Sequence, residues 1–197
     1  MRCVLQRRHL MKKHILLPVL AGIAVFAISF SGIGEAAPDN NLKIVIIRHG
    51  EKPENGDNLS CRGESRALQL PAVLYQKFNK PDYTYVPSLE LDKSTKHARM
   101  FQTVTPFAIK YNLTVNSKYD EKDYSNIAKK ILEKTGTVLM VWEHSAIAPL
   151  AEELGVKNPP AWDGKDFDSI WVITYPNGKA VLSTDKEGIT TSSDCKF

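Results

Sequence analysis

The sequence predicts an α/β fold: a three-layer α/β/α sandwich whose mostly parallel sheet ends in a C-terminal hairpin. Two aliphatic runs, at 43–47 and 137–142, are typical of parallel strands that are buried on both faces. Helical patterns alternate with strands along the chain. Asn177-Gly178, between two apolar runs near the C-terminus, indicates the closing hairpin.

Hydrophobic periodicity and turn residues place the individual elements. The predicted strands cover 43–47, 83–86, 113–115, 137–142, 170–173 and 180–182. The predicted helices begin at a cap formed by Ser60 or Asn58, at Pro71, and near Lys96, Asp123 and Ala146. Pro71 should start a second helical piece, because proline suits a first helical turn and disrupts a helix interior. Pro106 predicts a kink in the helix over 96–111.

The N-terminal residues have the order of a secretory signal peptide: basic residues, an apolar stretch over about 15–30, and small residues up to Ala37. We expect a signal peptide over 1–36 and one domain over 38–197. An uncleaved anchor helix is the alternative. In that case only the leader would contact the membrane. A cleaved leader implies an exported protein, periplasmic or extracellular.

Charge and cysteine content narrow the classes of partner. The whole chain has a formal net charge of +4, but five basic residues and one acidic residue lie in 1–37, so the remainder is close to neutral. A nucleic-acid partner is therefore not expected. Cys61 and Cys195 remain after the leader, and an even pair in an exported chain suggests a disulfide, with two free thiols as the alternative. No short-spaced metal-ligand cluster occurs, and no metal or cofactor is expected.

Two histidines follow the two strongest strands. Arg48-His49-Gly50-Glu51 ends the first strand, and Glu143-His144 follows Trp142 at the end of the other. Parallel strands would bring both imidazoles to the same edge of the sheet, where ligands bind in open α/β sheets. Arg48 suits a phosphate because guanidinium presents two parallel donors. Arg99 would add charge at a helix N-terminus, which itself favours anions, while His97 is expected on the surface.

These motifs together resemble the histidine phosphatase superfamily, more narrowly its phosphoglycerate-mutase-like branch. The resemblance rests on four spaced elements that span nearly all of the chain after the leader. They are Arg48-His49-Gly50-Glu51; Leu59-Ser60 with Gly63 and Arg66-Ala67; Arg99 with Gln102-Thr103; and His144.

The resemblance implies a phosphatase that hydrolyses small phosphomonoesters through a phosphohistidine on His49. Arg48, Arg99 and His144 would bind the phosphoryl group, and no metal would be needed. Gly50 would let the backbone turn beside the phosphate without a Cβ. Apart from the resemblance, we expect Lys52 and Ser145, which stands where many members have glycine, to contribute to substrate binding. The proton donor stays open among Glu143, Glu51 and Glu121.

Two other functions remain open. A non-catalytic phosphate-binding or sensor domain would keep the pocket without turnover. A phosphomutase would transfer the phosphoryl group rather than release it, although the short segments between motifs leave little room for a lid that excludes water.

Overall fold

The computed structural model describes residues 37–89 and 97–196, and in them a six-stranded sheet lies between two pairs of helices. The strands are β1 (Lys43–Arg48), β2 (Tyr83–Tyr85), β3 (Val115–Asn116), β4 (Thr137–Trp142), β5 (Ser169–Thr174) and β6 (Val181–Lys186). The helices are α1 (Cys61–Phe78), α2 (Ala98–Tyr111), α3 (Tyr124–Leu132) and α4 (His144–Glu153). The predicted three-layer α/β/α fold is confirmed.

The sheet has the strand order β3-β2-β4-β1-β5-β6. Its first four strands are mutually parallel, whereas β5 runs antiparallel to β1 and β6 antiparallel to β5. The closing hairpin is therefore confirmed. Asn177 and Gly178 both adopt positive φ in its connection, as the Asn-Gly pair predicts.

The aliphatic run of β1 is divided between two hydrophobic cores. Ile44 and Ile46 pack on one face of the sheet with residues of α3 and α4, while Val45 and Ile47 pack on the other with residues of α1 and α2. All four side chains are at most 1% exposed. Each therefore contributes about 1.5–3 kcal/mol of burial free energy. This double burial fixes the strand whose end carries Arg48 and His49.

Several predicted boundaries were wrong; β6, for example, ends at Lys186 rather than at residue 182. The α1 helix continues through Pro71, because packing of Leu70, Pro71 and Leu74 in the interior outweighs the missing backbone donor. β3 begins at Val115 rather than at residue 113. Helix α4 begins at His144 rather than Ala146, because the Glu143 side chain caps it by accepting from the Ser145 amide.

Some expectations concern the chain termini and the connecting segments. The proposed signal peptide over 1–36 and the predicted helix start at Lys96 lie outside the described residues. No helix within 37–89 and 97–196 is long and apolar enough to span a bilayer. Ser60, rather than Asn58, caps α1 by accepting from the amide of Gly63 at 3.3 Å.

Candidate active site

The ends of β1 and β4 bring the two predicted histidines to one edge of the sheet. These strands are parallel neighbours, with Arg48 paired to Trp142. One residue beyond β1, the His49 amide donates to the carbonyl oxygen of Trp142 at 3.1 Å. Glu143 and His144 follow directly, so both imidazoles leave the sheet at its carboxyl-end edge, where open α/β sheets bind ligands.

His49 is held as a neutral imidazole. Its side chain is buried, and Nδ1 lies 2.7 Å from the carbonyl oxygen of Gly50. Because a carbonyl oxygen only accepts, Nδ1 carries the proton and Nε2 keeps its lone pair. Burial lowers the pKa of His49 to about 4; the hydrogen bond to Gly50 opposes this shift, and the charges of Arg48 and Arg99 reinforce it. At neutral pH, Nε2 is therefore available as a nucleophile.

The lowered pKa of His49 should make folding less favourable in acid. As the pH falls below about 6.5, the usual pKa of histidine, His49 binds a proton in the unfolded chain. In the folded chain it does not bind that proton until about pH 4. Between pH 7 and 4.5, we therefore expect the protein to lose roughly 2 kcal/mol more unfolding free energy than a His49→Asn variant. Urea titrations at both pH values measure this difference. Equal losses in the two proteins would show that His49 is not held neutral.

Arg48 is positioned by the loop over residues 163–168. Arg48 is 2% exposed, and its Nη1 donates to the carbonyl oxygens of Gly164 at 2.8 Å and Asp166 at 3.3 Å. Cζ lies 3.8 Å from the ring centroid of Phe167, a cation–π contact. Burial lowers the pKa of Arg48 to about 10, so it stays charged at neutral pH. Its Nε has no partner among the described residues.

Arg99 lies in the first turn of α2 and is also buried, with 8% exposed. Its Nη1 reaches only the Gly56 carbonyl oxygen, at 3.5 Å, and its Nε has no partner within the described part of the chain. The hydroxyl of Thr103 joins α2 to the end of β1: it accepts from the Gly50 amide at 2.9 Å and donates to the Arg99 carbonyl at 2.7 Å.

Two buried guanidinium groups with unpartnered N–H groups are costly unless an anion binds them. The charges of Arg48 and Arg99 both act on His49, and the charge of Arg99 also acts on Arg48. The cluster therefore combines a neutral nucleophile with two cations that have donors to spare. A tetrahedral oxyanion matches that arrangement.

Gly50 serves close packing rather than a sharp turn. Its φ is outside the left-handed region, and a β-carbon there would lie 2.9 Å from the Gly63 carbonyl oxygen. The reverse contact is tighter still, because a β-carbon on Gly63 would overlap the carbonyl oxygen of Glu51. The loop after β1 thus lies directly on the first turn of α1, which leaves no room for a side chain at either glycine.

Glu51, one predicted proton donor, is bound to Arg66. Oε1 of Glu51 is 2.8 Å from Nη2 of Arg66, and Oε2 is 3.0 Å from Nε. Arg66 also contacts Glu187 at 2.5 Å, which joins α1 to the chain after β6. Burial favours the protonated form of Glu51, but the hydrogen bonds from Arg66 outweigh it and lower its pKa. Glu51 is therefore an ionised partner of Arg66.

Glu121, a second predicted donor, is bound to His97. Oε2 of Glu121 lies 3.1 Å from Nε2 of His97, and both residues are buried. The prediction that His97 lies on the surface was wrong, because this pair and the Ser88 carbonyl, 2.7 Å from Nδ1, hold it inside. Helical periodicity does not indicate partners that lie 24 residues apart in the chain.

Glu143, the third predicted donor, contacts His144 and Ser145. Oε1 of Glu143 contacts Nδ1 of His144, while Oε2 accepts from the Ser145 amide at 2.7 Å and from its hydroxyl at 2.5 Å. Ser145, which was predicted to bind substrate, thus forms its hydrogen bonds with Glu143, the N-cap residue of α4. Lys52 is exposed. Within the described residues, no cluster of His, Cys, Asp or Glu is arranged to hold a metal ion.

Comparison with known proteins places this geometry in a known fold. No family model matches the chain, and no curated protein matches its sequence. Solved structures do match. The protein histidine phosphatase SixA complexed with tungstate has a TM-score of 0.56 and 13% identity, with 74% of this chain and 97% of that chain covered. The histidine phosphatase fold is therefore the fold of this chain.

Other structures with the histidine phosphatase fold give the same result. A phosphohistidine phosphatase SixA candidate from Agrobacterium tumefaciens has a TM-score of 0.51 and 14% identity, over 74% of this chain and 97% of that one. An alpha-ribazole-5'-P phosphatase candidate from Escherichia coli K-12 has a TM-score of 0.50 and 14% identity, over 79% of this chain and all of the other. At such identities the match concerns the fold.

The sequence reasoning missed the residues around Arg48 that complete this site on the histidine phosphatase fold. Gly164, Asp166 and Phe167 lie more than 100 positions from Arg48, in a segment without strand or helix periodicity.

Cys61 and Cys195 are joined by a disulfide, as predicted, with 4.6 Å between their Cα atoms. This bond fixes the C-terminal tail to the first turn of α1.

Proposed function

We propose that the protein is an exported phosphatase that hydrolyses phosphomonoesters through a phosphohistidine intermediate on His49. The observation that carries the proposal is a buried, neutral His49 within the field of two buried arginines, Arg48 and Arg99, whose Nε–H groups both lack a partner among residues 37–89 and 97–196. An attacking lone pair and donors for the phosphoryl oxygens are the two requirements of this chemistry.

Proteins that share the fold are consistent with the proposal. SixA is a protein histidine phosphatase solved with tungstate, and the Escherichia coli protein is described as an alpha-ribazole-5'-P phosphatase candidate. We infer that this chain also acts on phosphorylated compounds. Its substrate would be a small phosphoester, and export would make it an envelope or extracellular compound.

Hydrolysis of 4-nitrophenyl phosphate tests the proposal. We expect the purified protein to release equal amounts of nitrophenol and phosphate, with turnover unchanged by a chelator and inhibited by orthovanadate. Orthovanadate binding without turnover would contradict it and favour the non-catalytic sensor. Transfer of the phosphoryl group to a second alcohol, without release of phosphate, would favour a mutase.

Replacing Arg99 should weaken catalysis strongly. We expect Arg99→Ala to lower kcat/KM about 10²- to 10³-fold, because the variant loses donors aimed at charge that develops in the transition state. Steady-state kinetics with 4-nitrophenyl phosphate measure the loss.

Arg62→Ala is the matched control for Arg99→Ala. Arg62 is exposed, and its Nε bonds to Thr191 in the C-terminal tail at 3.2 Å. We expect its kcat/KM to stay within about twofold of the parent. Equal losses in both variants would mean that Arg99 has no special part in binding phosphate.

Export is proposed from the leader sequence, Arg2 to Ala37. We expect cell fractionation to find the protein outside the cytoplasm, with an N-terminus at Ala37 by mass spectrometry. An intact N-terminus in the membrane fraction would favour the uncleaved anchor instead.

A further inference from the structure

The junction between β4 and α4 holds a carboxylate–imidazole pair, Glu143 and His144. Oε1 of Glu143 contacts Nδ1 of His144, and Oε2 accepts two hydrogen bonds from Ser145. Oε2 is thus held by two donors, while Oε1 lies against the imidazole ring, and these contacts limit the orientation of the carboxylate. The side chains of Glu143 and His144 are 14% and 28% exposed, so the pair is largely shielded while His144 remains accessible.

We propose that His144 is the general acid that protonates the leaving group, and that Glu143 is the positioning residue that orients and stabilises its imidazolium. This inference rests on the proposed phosphatase function and deepens it by naming the proton donor. The division of roles differs from a carboxylic acid that donates directly.

The ionisation of Glu143 fits an acceptor rather than a donor. Burial favours its protonated form, but the hydrogen bond from the Ser145 hydroxyl and the charge of His144 outweigh burial and lower its pKa. An ionised carboxylate has no proton to give at neutral pH. It can instead accept from Nδ1 of His144, which leaves Nε2 as the ring atom that exchanges a proton with substrate.

Gly164 places Nε2 of His144 beside the phosphate-binding cluster. A β-carbon on Gly164 would lie 3.5 Å from Nε2 of His144, and the carbonyl oxygen of the same glycine accepts from Arg48 at 2.8 Å. The charge of Glu143 acts on both Arg48 and His49. Nε2 of His144 and the guanidinium of Arg48 therefore both lie next to Gly164, and the proposal assigns the leaving-group oxygen to this side of the phosphoryl group.

The other two predicted donors have partners of their own. Glu51 makes two hydrogen bonds with Arg66, and Glu121 pairs with His97 while its carbonyl accepts from the Trp142 indole at 3.0 Å. Each of these two carboxylates thus already has a buried partner of its own. Among the three, Glu143 alone contacts a histidine that also lies next to Gly164.

The proposed steps balance in protons and bonds. Nε2 of His49 attacks phosphorus, the P–N bond forms, and the P–O bond to the leaving group breaks as that oxygen takes the proton from Nε2 of His144. Neutral His144 then takes a proton from the attacking water as the P–N bond breaks. Phosphate leaves, and both histidines return to their starting states.

The dependence on leaving-group basicity tests the proposal. Because a poor leaving group needs protonation most, we expect Glu143→Gln to lower kcat/KM about 10²- to 10³-fold for phenyl phosphate but only about tenfold for 4-nitrophenyl phosphate. A plot of log kcat/KM against leaving-group pKa over a series of aryl phosphates should therefore become steeper. His144→Asn should steepen the same plot.

Glu121→Gln is the matched control, because it makes the same change at another buried carboxylate that pairs with a histidine. We expect its plot to keep the parent slope. Equal losses for both substrates in Glu143→Gln and His144→Asn would overturn the proposal, as would a steeper plot in Glu121→Gln alone. If the parent protein turns over 4-nitrophenyl phosphate, these outcomes are distinct from a failure of the proposed phosphatase function. If Glu143→Gln does not fold, the plot for His144→Asn decides the question.

Discussion

His49→Ala should abolish turnover, with kcat lowered about 10⁴-fold or more, as for other nucleophile deletions. The imidazole is buried, its Nδ1–H is bound to Gly50, and its lone pair at Nε2 has no substitute in the cluster. Arg48 and Arg99 remain in the variant, so phosphate and orthovanadate should still bind. Phosphate release from 4-nitrophenyl phosphate and calorimetric binding of orthovanadate measure the two effects separately.

Added imidazole provides the control for His49→Ala. The substitution leaves a space the size of the lost ring, and free imidazole there could accept the phosphoryl group and leave as phosphoimidazole. Partial recovery of nitrophenol release would show that the rest of the site is intact. Turnover of the variant within about tenfold of the parent would instead contradict nucleophilic attack by His49.

Removing the disulfide should have the largest effect on stability. Cys61 and Cys195 are 134 positions apart. In the chain-entropy model, a loop of that size lowers the entropy of the unfolded chain enough to stabilise the fold by about 5 kcal/mol. We expect a Cys61→Ser/Cys195→Ser variant to lose about 4–5 kcal/mol of unfolding free energy. Urea denaturation of both proteins, each with Cys3→Ser to remove the third cysteine, measures this loss.

Hydrogen bonds, the Arg66–Glu187 ion pair and the packing of Ile189 would then hold the C-terminal tail. The amide of Ser192 donates to the Ser65 hydroxyl at 3.0 Å, and the Gln69 side chain donates to the Thr190 carbonyl at 3.1 Å. Reductant should destabilise the parent to the level of the double variant and leave that variant unchanged. A difference below about 1 kcal/mol would show that the bond contributes little.

The sequence predicted those parts of the fold that depend on local patterns. The runs that became β1 and β4 are aliphatic on both faces, and such runs form buried parallel strands. The predicted break at Pro71 was wrong because proline has a low helix propensity, whereas tertiary packing stabilises α1 through this residue. The short strand β3 has two residues, too few for any periodicity.

The candidate site was predictable where residues follow strand ends and hidden where they meet through tertiary contacts. His49 and His144 could be placed together because parallel neighbouring strands end at one edge. The contact of Phe167 with Arg48, and the partners that occupy Glu51 and Glu121, depend on loop conformations that no periodicity encodes. Glu143 differs from Glu51 and Glu121 in the partner that its carboxylate contacts, more than in its position in the sequence.

The most direct test of the central claim is to trap the intermediate. The protein is mixed with 4-nitrophenyl phosphate, quenched in alkali, which preserves a phosphorus–nitrogen bond, and digested for mass spectrometry. We predict one phosphoryl group on the peptide that contains Arg48-His49-Gly50-Glu51, located on His49 and lost on brief acid treatment. Turnover without any phosphorylated His49, or the phosphoryl group on another residue, would contradict the account.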